Sequence, residues 1–78
     1  MRLDLLPFNA PAAIATIDWA ALPEKDARRL RELGFDAGMM VETLHSGLFG
    51  KDPIACRIGR MTVAIRRAHA AAMEVEAE

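Results

Sequence analysis

Apolar and polar positions along the chain change their period twice, and those changes mark out the elements. Residues 1–11 set Leu3, Leu5, Leu6 and Phe8 among Pro7 and Pro11. Proline fixes φ and removes a ladder donor, so this stretch predicts a lead-in segment, which its four large apolar residues can pack onto the domain surface. Residues 12–18 carry Ile14, Thr16 and Ile17 before a polar stop, which predicts a strand. Residues 23–33 take a helical period, with Ala27, Leu30 and Leu33 on one stripe. Pro23 suits the first helical position. Glu24 and Asp26 lie toward the N-terminal end, and Arg28, Arg29 and Arg31 toward the C-terminal end, each where the macrodipole favours it. Glu24 and Arg28 stand four apart in the stabilising order, and Gly34 follows as a left-handed terminator.

Beyond Gly34 the period falls to two. Residues 39–45 set Met39, Val41 and Thr43 against Met40, Glu42 and Leu44. Residues 46–53, with two glycines and a proline, read as a loop. Residues 54–58 and 61–66 both alternate, around Gly59-Arg60, a pair that suits a type II′ hairpin turn. Residues 67–72 predict one alanine-rich helical turn, and residues 73–76 a closing strand. Five short strands in this length cannot build two stacked sheets, whereas curling buries one face of each and removes exposed edges. The expected class is mostly β: a small SH3-like barrel of about five strands with one short α-helix after the first strand. Residues 1–78 are read as one such domain.

Composition narrows the function. Apolar residues make up 53%, but 15 of them are alanines and only Phe8, Trp19, Phe35 and Phe49 are aromatic, with no tyrosine. A polyproline groove of the SH3 kind needs several rings, so that mode is disfavoured. Ten basic and eleven acidic side chains leave a formal charge of −1 and no global field for nucleic acid. The arginines do cluster, at Arg28, Arg29 and Arg31 and again at Arg57, Arg60, Arg66 and Arg67, but stacking platforms for bases are missing. No apolar run approaches the roughly 18–20 residues that span a bilayer, and the first residues lack a signal-peptide pattern. The lone Cys56 excludes an intramolecular disulfide and fits a reducing compartment. A cytoplasmic protein without membrane insertion is expected.

Enzyme signatures fail. Gly47 and Gly50 are too sparse for a phosphate loop, and Lys51 does not sit in a GxxxxGK[ST] pattern. Ser46 beside His45 lacks a nucleophile elbow. So small a chain is also expected to have little room for a pocket of about 300 Å³ or more. For metal, the only candidates are His45, Cys56 and His69, at spacings that match no common zinc pattern. Cys56 sits among Ile54 and Ile58 as a small hydrophobe would. His45 reads as a strand-end surface residue and His69 as a polar residue on a short turn. No resident cofactor is expected, leaving only adventitious or intermolecular Zn2+ or Fe2+. What remains is a non-enzymatic interaction module.

Particular residues then carry a resemblance. Arg29-Leu30-Arg31-Glu32-Leu33-Gly34-Phe35, with Gly38 and Val41, resembles the (R)xLxELGFxxGxxV stretch of the FeoA family. Asp52-Pro53-Ile54 resembles its GDPI junction. Gly59, Val63-Ala64-Ile65-Arg66 and Ala70 resemble its G…(I/V)ALRxxEA segment, and Val75 its closing strand. The set runs from about Ile14 to Val75. Departures are Pro11-Ala12 before the first strand, Ala37 in place of a proline, Lys51 within the Gly-Asp pair, and His69 in place of a glutamate. A related SH3-like domain also ends some metal-dependent repressors.

The resemblance implies a small accessory protein of bacterial ferrous iron uptake. It would bind and regulate the cytoplasmic, GTPase-bearing part of a FeoB-type membrane transporter, with no catalysis of its own. Seven arginines do not single out an arginine finger. Leu48 and Phe49, in a glycine-flanked loop, are the leading partner-binding candidates, followed by Phe35, Arg28 and Arg31. The alternative is a transition-metal-responsive SH3-like module whose assembly depends on metal. Weak homo-oligomer formation fits either reading.

Overall fold

A computed structural model describes residues 1–47 and 51–77. Five strands form one antiparallel sheet: β1 (Ala12–Ile17), β2 (Met40–Ser46), β3 (Ile54–Ile58), β4 (Met61–Ile65) and β5 (Met73–Ala77). Helix α1 (Glu24–Leu33) separates β1 from β2, and a five-residue helix α2 (Arg67–Ala71) separates β4 from β5. The strand order is β4-β3-β2-β1-β5. The expected hairpin is present, with Ile58 opposite Met61 across Gly59-Arg60. Gly59 takes φ +59°, as the first central residue of a type II′ turn requires.

The alternation places one face of every strand inside. Ala12 and Ile14 of β1, Val41 of β2, Ile54, Cys56 and Ile58 of β3, Ile65 of β4, and Met73 and Val75 of β5 belong to one apolar cluster. For all five strands to share that core, the sheet must curl. It does not close by hydrogen bonds, however: β4 pairs only with β3, and β5 only with β1 among the strands. The expected mostly-β class of five strands and a short helix after the first strand is present, as a curled sheet whose two margins are not joined by strand pairing among the described residues.

Helix α1 begins after Pro23, which sits one residue before the helix and accepts from the Ala27 N–H through its carbonyl. Ala27 and Leu30 are buried and Leu33 is half-buried. Gly34 ends the helix at φ +103°, a conformation that costs glycine little. The chain then turns back, with the Phe35 N–H donating to the Leu30 carbonyl at 3.0 Å. That turn carries Phe35 into the core, where it is 0% exposed.

The first residues do more than lie on the surface. A 3-10 turn over Leu3–Leu5 sends Leu3 and Leu6 into the core and leaves Leu5 and Phe8 outside. Asn9 donates its N–H to the Thr43 carbonyl at 2.7 Å, and the Val75 N–H donates to the Met1 carbonyl at 2.7 Å. An isolated bridge pairs Arg2 with Glu74 along the outer side of β5.

Candidate functional site

A cleft of about 530 Å³ opens between α1 and the β4 side of the sheet. This corrects the expectation that so small a chain lacks room for one. The helical period explains one wall: Asp26, Arg29, Leu30 and Leu33 recur along a single face of α1. Ala64, Ile65 and Arg66 form the opposite wall, and Asp52, Pro53 and His69 close the end.

Hydrogen bonds fix that end. Arg67 donates its backbone N–H to Asp52 Oδ1 at 2.9 Å, its Nε–H to the Lys51 carbonyl at 3.0 Å and an Nη1–H to the Asp4 carbonyl at 3.2 Å. One residue thus ties together the start of α2, the loop before β3 and the first segment. Gly47 lies against the same loop, and its N–H donates to the Pro53 carbonyl at 2.9 Å. His69 is buried rather than a polar residue on an open turn, and its Nε2 lies 3.2 Å from Asp26 Oδ2. A carboxylate only accepts, so the Nε2–H donates, and the pair joins α2 to α1 across the end of the cleft. The sequence reading missed this contact because the two residues stand 43 apart.

Both acids of the cleft are therefore engaged, Asp26 with His69 and Asp52 with the α2 backbone. Arg29 and Arg66 are exposed and make no ion pair among the described residues. The cleft thus offers two unpaired guanidinium groups over an apolar wall, a setting that suits carboxylates or other acceptor-rich groups.

The other sequence candidates scatter. Arg28 is exposed and pairs with Glu24 at 3.8 Å, the surface ion pair its spacing predicted. Arg31 stacks on Trp19, 4.4 Å from the ring centroid, so its charge is held at the opposite end of α1 from Asp26. Phe35, a candidate contact, has no exposed surface and acts in the core. Leu48 and Phe49 lie outside the described residues. His45 is exposed beside an irregularity in the β2–β3 pairing, whereas Cys56 is fully buried. Desolvation pushes the Cys56 thiol up to about 11, which disfavours the thiolate that binds metals. Among the described residues no three His, Cys, Asp or Glu side chains gather as a metal site, so His45, Cys56 and His69 do not fit an intramolecular centre.

A family model described as the FeoA domain matches residues 1–77. The chain belongs to the FeoA family. Among solved structures, FeoA of Stenotrophomonas maltophilia is 32% identical, with a TM-score of 0.80 over 97% of this chain and 89% of that one. That FeoA was obtained complexed with zinc and is described as a prokaryotic SH3 domain protein with a possible role as a ferrous iron transport activating factor. Iron(II) transport protein A of Clostridium thermocellum is 28% identical, with a TM-score of 0.84 over 99% of this chain. The match spans 45% of that longer relative. T. acidophilum IdeR aligns over 100% of this chain and 34% of its own, with a TM-score of 0.80, but at 18% identity that likeness shows the fold alone. A comparison with curated proteins finds no match. Among the described residues of this FeoA-family chain no helix is long and apolar enough to cross a membrane.

Proposed function

We propose that this FeoA-family protein is a non-enzymatic accessory factor of bacterial ferrous iron uptake. It works in the cytoplasm by binding and regulating the cytoplasmic part of a FeoB-type transporter. Family membership over residues 1–77 carries this reading. The description of the S. maltophilia relative as a transport activating factor supports it. So does a cleft whose two carboxylates and histidine are tied into structural contacts instead of an acid–base constellation. The test is a pull-down of the detergent-solubilised transporter by the full chain in the GTP-bound, GDP-bound and nucleotide-free states. Retention in at least one state is expected. Absence of retention in all three overturns the partnership.

A second reading has one observation in its favour, the zinc bound to the S. maltophilia relative. In this chain it requires metal shared between copies at the exposed His45, since Cys56 is sealed in the core and His69 is committed to Asp26. Sedimentation with and without Zn2+ decides it: an unchanged mass removes the metal-dependent assembly.

A further inference from the structure

The hydrogen-bond pattern of the hairpin determines which way the β4 backbone faces. Across a two-residue turn the flanking pair, here Ile58 and Met61, exchanges both hydrogen bonds, and the pattern then alternates. Val63 and Ile65 therefore face β3, while the N–H and C=O groups of Thr62 and Ala64 point away from it. No hydrogen bond to the Thr62 or Ala64 backbone from outside the strand pairings occurs among the described residues. Thr62 and Ala64 are both exposed. Ala64 and Ile65 also line the cleft that α1 faces. An unpaired strand margin and the α1 wall, which carries exposed Arg29 and half-buried Leu33, thus stand on two sides of one groove.

We propose that this groove captures an extended, acidic peptide segment of a partner, which adds a sixth strand along β4 and rests its side chains against the half-buried Leu33. Strand addition of this kind takes affinity from main-chain hydrogen bonds and selectivity from alternate side chains. The strand itself, Met61-Thr62-Val63-Ala64-Ile65, is uncharged and contains no proline that would block pairing. Charge selects the occupant. Arg60 and Arg66 flank β4, and Arg29 faces the groove from α1. A second copy pairing antiparallel over the whole of β4 would set Arg60 against Arg66 twice, and like charges directly opposite are destabilising. A segment with acids flanking an uncharged centre meets all three arginines.

This extends the partner-binding reading above, and its test is separate because it needs no transporter. The probe is a blocked nine-residue peptide, Asp-Glu-Thr-Val-Thr-Val-Thr-Glu-Asp, with a control that carries lysine at the four acidic positions. Both are titrated into the 15N-labelled full chain. The acidic peptide is expected to slow amide exchange at Thr62 and Ala64 at least tenfold at saturation, and to bind at least tenfold more tightly than the lysine control. Ala64→Pro, which removes one outward N–H at a margin where proline is tolerated, should weaken binding at least tenfold. Should that variant not fold, methylating alternate peptide nitrogens removes the donors from the ligand side, with the same expected loss. The doubly charge-reversed Arg29→Glu, Arg66→Glu variant should invert the preference between the two peptides. The proposal is overturned by no binding of the acidic peptide, by binding with unchanged exchange at Thr62 and Ala64, or by a β4-paired homodimer in sedimentation. A pull-down that succeeds while the peptide fails would leave the transporter partnership intact and place its contact elsewhere.

Discussion

Replacing Phe35 by alanine separates two roles for that ring. Phe35 is fully buried behind the left-handed turn at Gly34, so truncation leaves a void among β-sheet and α1 side chains. Phe→Ala changes at such sites cost about 3–5 kcal/mol, the lost transfer energy plus the cavity. A chain of 78 residues, at about 0.05–0.15 kcal/mol per residue, holds roughly 4–12 kcal/mol in all. The variant should therefore forfeit about a quarter or more of its stability. With a urea slope near 1 kcal/mol per M, the midpoint falls by about 3–5 M and the folded baseline shortens or disappears. Phe35→Leu, which keeps most of the volume, should lose about 1.5 kcal/mol or less and keep a measurable transition. Equilibrium urea unfolding followed by far-UV circular dichroism reads both. A loss within about 0.5 kcal/mol for Phe35→Ala, the size of an ordinary surface change, would refute the core assignment and restore Phe35 as a contact residue.

Three further outcomes follow from the packing. Burial lifts the Cys56 thiol from its ordinary 9.0 to about 11. The folded state thus keeps a proton that the unfolded chain gives up, so this contribution is complete below pH 9 and fades as pH rises through about 11. Relative to Cys56→Ala, the wild-type advantage should shrink by roughly 2–3 kcal/mol between those limits, and a pH-independent difference would contradict it. Gly47→Ala would drive a Cβ into the Asp52 carbonyl oxygen, displacing the loop that Arg67 grips. A melting temperature lower by about 4 °C or more is expected, and an unchanged melt would mean that the loop yields freely. Asp52→Ala removes the acceptor at the start of α2 and should cost about 0.5–2 kcal/mol, whereas Asp52→Asn should recover most of it.

Local chemistry made some parts of the fold legible and long-range contact hid the rest. The hairpin was readable because two alternating runs bracket Gly-X, and α1 because its stripe, its charges and Gly34 agree. Pro7 and Pro11 break any period around the first segment, so the sequence shows only that Leu3, Leu5, Leu6 and Phe8 can pack it onto the domain; the 3-10 turn selects Leu3 and Leu6 for burial. The ring of Phe35 could not be placed from composition, since its direction depends on the turn that precedes it. The cleft was invisible for a related reason: α1 and β4 carry separate, ordinary patterns, and only the curl of the sheet brings Arg29 and Arg66 to one opening. Whether a strand has a free side is likewise a property of the sheet order, not of the strand.

The two margins of this sheet are unlike, and that difference sets a valence. Beside β5 the first two residues already occupy the outer side, through the Met1 carbonyl and the Arg2–Glu74 bridge. Among the described residues β4 is therefore the margin left without a backbone partner. Strand addition of the kind proposed above is accordingly expected to saturate at one captured segment per chain.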